Sequence, residues 1–197
     1  RKVEGQIDKY TSMNSVAQSI KDAYISIKQR KFEEEMLAPR GLTLSEFYGN
    51  NIYDSGQGKR WDEMYSEWDL ELEIIVSGVD SERAHTFRIA DSGFAGLLES
   101  FDGLGFDAIG TGSSLARDTL TSKYSRDLSL AEGVYVLYSA LENASQAPGV
   151  GRNFDTVYIT DNIYTIGQEL QARISENYYK TNSPEQLPDL AELEKKL

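Results

Sequence analysis

The 197-residue chain has no cysteine, a single histidine (His85), four prolines and no long uninterrupted apolar run. Without cysteine there is no disulfide, no thiolate ligand for a metal and no thiol nucleophile, and a reducing compartment, the cytoplasm, is the expected location. One imidazole and no thiolate leave no donor set for a zinc centre, so neither metal nor cofactor is expected. No apolar stretch approaches the roughly 20 residues that span a bilayer, and no signal-peptide pattern opens the chain. Basic residues are also short: 20 Lys and Arg stand against 32 Asp and Glu, a net charge of −12. The cations are scattered, with small groups such as Lys28-Gln29-Arg30-Lys31. Neither nucleic acid nor an anionic membrane face is therefore expected as a partner.

What is present is ordinary for a globular protein: 40 % hydrophobic and 26 % charged residues, in a chain long enough for one good core and an attached lobe. The first residue is Arg1 rather than methionine, which reads as a cleaved, trimmed or partial chain. Residues 1–12 are polar and carry little pattern. Asn14 or Ser15 then caps a helix whose stripe is Val16, Ile20, Tyr24 and Ile27, and Pro39 ends it, so one long helix is predicted over about 14–37. Residues 40–69 read as an insertion or partner-facing lobe. Thr43-Leu44-Ser45-Glu46 is a capping box, Gly49 to Lys59 a loop, and Trp61, Met64, Tyr65 and Trp68 one helical face.

From Leu70 the period becomes two. Leu72, Ile74 and Val76 share one strand face, and His85, Phe87 and Ile89 share a face of the next, around a turn at Gly78 to Arg83. An irregular strand is expected within Phe94 to Leu104, and a third clear strand at Phe106 to Gly110. Helices follow at about 113–123 and from the Ser129-Leu130-Ala131-Glu132 capping box through Leu141. Asp155 to Thr160 alternates as a strand, Asp161-Asn162 turns, and Ile166, Leu170, Ile174 and Tyr178 make a last amphipathic helix. Strands followed by paired helices indicate a layered α+β architecture, with an antiparallel sheet covered on one face.

The most informative segment is Phe106-Asp107-Ala108-Ile109-Gly110-Thr111-Gly112-Ser113-Ser114, a short apolar run, a glycine turn and the mouth of a helix. Glycines turn where a Cβ would clash, and the helix start leaves amide donors unpaired. Thr111, Ser113 and Ser114 can support a nucleophile by hydrogen bonding; the commoner role of such hydroxyls is a helix cap. No lysine follows Gly112, so this is not a P-loop. His85, on an apolar strand face, is expected in a core or interface. Asp80, Glu82, Asp91 and Asp102 are expected as solvated turn carboxylates. Trp61, Tyr65 and Trp68 form either a recognition surface or a small satellite core.

Four pieces resemble, in their order, the C-terminal part of proteasome-type N-terminal nucleophile hydrolases. They are Leu72 to Asp80, similar to the family's central strand and turn; Phe87 to Gly93, similar to the next strand and its Asp-Ser-Gly turn; Ala108 to Ser113, similar to a Gly-Ser-Gly turn before a helix; and Asp127 to Val134 with the strand from Phe154 to Thr160. The similarity spans roughly residues 70–180. It implies an αββα sandwich of antiparallel sheets covered by helices. In active members an N-terminal threonine hydroxyl is the nucleophile, its own amine the base, and backbone amides hold the oxyanion. The family's serine in that turn corresponds to Thr111. The strands that carry the nucleophile, lysine and first aspartate have no matching positions here. The family's supporting Asp-x-x-Ser falls at Gln146-Ala147-Pro148-Gly149-Val150, which has neither residue in register.

The expected architecture is therefore an N-terminal nucleophile hydrolase-like αββα domain over residues 1–181, its front strands missing and its insertion at about 40–69, with 182–197 a tail or docking helix. The resemblance implies a proteasome-like threonine peptidase or amide-bond hydrolase acting on peptides, in a ring-like oligomer with copies or related subunits. Thr111 and Ser113 would only support a nucleophile that lies upstream. The alternatives are a non-catalytic structural or binding subunit of such an assembly, and an unrelated α+β interaction domain.

Overall fold

The computed structural model describes residues 12–91, 96–160 and 162–181. Two compact units make up the chain, one ending at Gly103 and the other beginning at Leu104. Helices and antiparallel strands occur in both, in agreement with the α+β expectation.

The first unit opens with α1 (Met13–Phe32), capped by Ser12, whose hydroxyl accepts from the Ser15 amide. The cap thus precedes the expected Asn14 or Ser15. The helix predicted to run to 37 is α-helical only as far as Phe32. Glu33–Leu37 is a π-helical turn, and Ala38–Arg40 a 3-10 turn closed by Gly41 at φ +71°. Pro39 has no amide to donate, so α-helical pairing cannot continue through it. Helix α2 (Leu44–Gly49) carries the predicted capping box between Thr43 and Glu46. Helix α3 (Gly56–Glu67) starts inside the expected loop, because Ser55 caps it by accepting from the Gly58 amide. Gly58 packs so tightly that an added Cβ would lie 1.7 Å from the Ile52 carbonyl oxygen.

Strands β1 (Ile74–Val79), β2 (Ala84–Ala90) and β3 (Leu97–Ser100) form an antiparallel sheet with β2 in the middle. The register pairs Val76 with Phe87, and Ile89 with Ile74 and Leu98. Opposed residues point to the same side, so these five make one apolar face. Ala17 and Tyr24 of α1 pack on it. A second core joins Phe32, Leu37, Phe47 and Tyr65, with Trp61 and Trp68 against them. Phe32 and Tyr65 stack at 4.4 Å. The aromatic group of the 40–69 lobe is thus a satellite core.

In the second unit, residues 106–109 are not the strand expected there. A strand exists through its ladder, and no described strand pairs with them. Phe106 and Ala108 pack instead on α4 (Ser113–Lys123) and α5 (Leu130–Ala144). Helix α5 begins at the predicted Ser129–Glu132 capping box and is apolar on two sides. Val136, Ala140 and Ala144 meet Ala116 and Leu120 of α4. Val134 meets Ile166 and Ile174. The Asn143 amide clasps the two helices, donating to the Leu115 carbonyl (3.2 Å) and Thr119 Oγ1 (3.0 Å).

Ile166 does not belong to the last helix. It ends β5 (Ile163–Ile166), which pairs with β4 (Thr156–Ile159) in a hairpin. Isoleucine, tyrosine and threonine in succession favour an extended backbone. Helix α6 follows (Gln168–Thr181), with Ile174 in the core. The expected turn at Ser92-Gly93 and the tail from 182 onward lie outside the described residues.

Candidate functional site

The glycine turn sits between two anchored elements. Before it, Asp107 is buried, with 1 % of its side chain exposed. It accepts from Arg117 Nε of α4 at 3.0 Å, and the same guanidinium donates to the Ala108 carbonyl. After it, Gly112 lies against the end of α5. A Cβ there would meet Ala144 Cβ at 2.8 Å and the Ala144 carbonyl oxygen at 2.9 Å. Gly110 takes φ +87°, a conformation open to glycine and costly for other residues. The Ser113 amide closes the turn onto the Gly110 carbonyl at 3.0 Å.

Gly112 is the N-cap of α4, and no side chain caps the helix. Thr111 is exposed and Ser113 half-buried, so the capping role does not account for these hydroxyls. A helix start without a side-chain cap carries partial positive charge and amide donors. It suits an anionic oxygen, including one that develops during acyl transfer.

The stretch at 146–150 leaves the same end of α5. The Ala147 amide donates to Ala144 (3.0 Å), and that of Val150 to Ala147 (3.2 Å). Thr111, Ser113 and this loop are therefore brought to one end of the second unit. The loop contributes the Gln146 amide, which donates to Asn143 Oδ1 (3.1 Å).

Two ionic clusters in the first unit were not legible in the sequence. His85 Nδ1 lies 2.7 Å from Asp102 Oδ2, and its Nε2 lies 3.1 Å from Asp80 Oδ1. Burial pulls the imidazole pKa down, but the bonds from Asp102 and Asp80 outweigh it, and the net shift is upward. The Met13 amide, then those of Glu82 and Arg83, with His85, hold the Asp80 carboxyl far below the usual carboxylate range against the effect of burial. Burial also opposes the shift at Asp102, where the Thr86 amide, His85 and Arg83 lower the pKa. With both nitrogens taken, the ring is a clamp rather than a general base. It ties the β1–β2 turn to the chain after β3, while Asp80 also receives the first amide of α1.

The second cluster contains Lys28, one of the scattered cations of the sequence and 1 % exposed. Its Nζ lies 2.6 Å from Asp91 Oδ1. Tyr24 Oη donates toward Asp91 Oδ2 (3.2 Å), and burial, then the Asp91 charge, raises its pKa well above normal. Asp80, Asp91 and Asp102 are therefore partnered, not the solvated turn carboxylates of the expectation. Lys28 was recoverable in principle: Ala17, Tyr24, Lys28 and Phe32 fall on one helical stripe, and all are buried.

In the second unit a cleft of about 460 Å3 opens between α5, the segment before β4 and α6, lined by Tyr138, Arg152, Asn153, Phe154, Gln171 and Ser175 among others. Its side-chain amides and hydroxyl can exchange hydrogen bonds with a peptide backbone. Beneath it Glu142 is buried and accepts from Tyr138 (2.8 Å) and Tyr179 (2.6 Å). Burial above all pushes the Tyr138 pKa up to about 12. Among the described residues no group of three or more potential ligands gathers for a metal ion, and no helix is long and apolar enough to cross a membrane.

No protein-family model matches the chain. The chain is 27 % identical over 168 residues to a proteasome subunit beta of Methanococcoides burtonii, an alignment that covers 81 % of this chain and 71 % of that protein. Taken with the ordered pieces between Leu72 and Thr160, this likeness supports a relationship to the proteasome-type N-terminal nucleophile hydrolases.

Proposed function

We propose that the chain is a subunit of a proteasome-like assembly that hydrolyses amide bonds in peptides. Its nucleophile is a threonine hydroxyl on a strand outside these residues, and Thr111 and Ser113 support it. The observation that carries the reading is the turn at 110–112: Gly110 at positive φ, Gly112 packed against Ala144, an exposed Thr111 hydroxyl, and a helix start with no side-chain cap. Positioned donors of this kind are what an acyl-transfer transition state uses. The same reading carries the αββα sandwich, the single domain over 1–181 with a lobe at 40–69, ring assembly and a cytoplasmic setting.

Intact mass and N-terminal sequencing of the protein purified from its source test the first part. The reading expects a processed start on a hydroxyl residue. Thr111→Val should then lower peptide turnover tenfold or more at an unchanged melting temperature, since one transition-state donor is worth about 10²–10³ in rate where it has been removed elsewhere. An unprocessed methionine start with no turnover sinks the catalytic reading.

One observation favours a second reading, a non-catalytic subunit of such an assembly: residues 146–150 offer no Asp or Ser where the family places its supporting pair. Under that reading the protein enters a ring-sized particle, but neither it nor Thr111→Val changes turnover.

A further inference from the structure

The first unit contains a second cleft, of about 360 Å3, unrelated to the glycine turn and lined by Gln29, Tyr48, Tyr53, Asp62 and Tyr65. Its walls are tyrosine. The Tyr48 and Tyr53 rings adjoin at 5.6 Å with planes 41° apart, and Tyr65 closes the inner side, held from behind by Phe32. The one charge in the wall is Asp62. It is half-buried, accepts from Tyr48 Oη at 2.8 Å, and is paired with no cation among the described residues. The cations nearby have other partners: Lys28 is bound to Asp91, with its Nζ 5.9 Å from the Tyr65 ring centroid, Lys59 pairs with Asp54, and Arg40 lies over the Trp61 ring.

An aromatic ring presents a negative face, and a phenol that donates to a carboxylate presents a more electron-rich one. Tyr48, which donates to Asp62, the adjoining Tyr53 ring and a carboxylate with no cation partner among the described residues, in a chain of charge −12, complement a positive charge. The cleft also selects among cations. A primary ammonium is compact, strongly hydrated and carries three donors, and few acceptors here could replace its water. A methylated ammonium spreads its charge over methyl groups that need contact, not hydrogen bonds. We propose that this cleft binds a methylated ammonium group, with Tyr48 and Tyr53 as its aromatic walls and Asp62 as its counter-ion.

The test titrates the full chain at fixed ionic strength with choline chloride and with 3,3-dimethylbutan-1-ol, its uncharged carbon isostere, followed by protein NMR. Choline should shift resonances of Tyr48 and Tyr53 saturably, and the isostere should bind at least tenfold more weakly. Asp62→Asn and Tyr53→Ala should each weaken choline several-fold to tenfold, and Tyr53→Phe should retain it. Tyr53 is exposed, so its variants test the cleft without challenging the core. A peptide bearing trimethyllysine, set against its unmodified lysine form, distinguishes the sources of the group. Binding of that peptide more tightly than choline assigns the group to a protein side chain, and the reverse order to a free small molecule. Equal binding of choline and its isostere, no saturable shift, or full binding by both Asp62→Asn and Tyr53→Ala overturns the proposal.

Discussion

At the scale of single residues, the partners of the buried charged groups are set by turn geometry that the sequence does not display. His85 was visible as a histidine on the same face as Phe87, and the two rings stack at 5.9 Å. Its partners were not, because Asp80 and Asp102 converge on it only when the β1–β2 turn closes and the chain returns after β3. The clamp predicts a definite pH dependence. The folded pKa of His85 is raised, so its contribution is complete below its unfolded value of about 6.5 and is lost as pH rises through the folded value. The pKa values of Asp80 and Asp102 are lowered, so their contributions hold above about 3.9 and are lost as pH falls. Melting temperature followed by circular dichroism should decline above the neutral range in the natural protein. His85→Gln should melt lower at pH 6 and lack most of that alkaline-side decline. An unchanged slope in the variant would show that another group controls it.

At the scale of elements, α5 organises the second unit, and two of the glycines on or near it predict opposite outcomes for one substitution. Gly112→Ala drives a Cβ into the Ala144 backbone and should destabilise by about 1–3 kcal/mol, the usual range for overpacking. Gly133 lies inside α5 with nothing within 4 Å of an added Cβ. Gly133→Ala should stabilise by about 0.5–1 kcal/mol through helix propensity. Urea unfolding of both variants measures the pair, and equal signs would contradict the packing described. The helices were largely legible because their caps are local: Thr43 with Glu46 and Ser129 with Glu132 each need only four residues. The strand expected at 106–110 and the helical place expected for Ile166 failed for the converse reason. An apolar run does not say whether a partner edge exists, and β5 takes its identity from pairing with β4.

At the scale of the whole molecule, net charge sets the expectation for partners. A charge of −12 argues against nucleic-acid backbones and anionic surfaces, and it favours cationic ligands. The relationship to a proteasome beta subunit leads to an expected assembly. Sedimentation velocity of the purified protein should show a ring-sized particle at micromolar concentration, whereas a strict monomer across the accessible range would count against both the catalytic and the non-catalytic subunit readings.

The capping boxes at Thr43 and Ser129, the apolar face of Ile74, Val76, Phe87 and Ile89, and the resemblance to the proteasome-type hydrolases follow from the sequence alone, because periodicity and capping act over a few residues. Tertiary structure alone decided which carboxylates are partnered, that Lys28 meets Asp91, that the hydroxyls after Gly110 leave α4 uncapped, and that Tyr48, Tyr53 and Asp62 share one cleft. Those facts rest on groups distant in the chain meeting in space, where burial and pairing set the charge state, and no local pattern encodes that meeting.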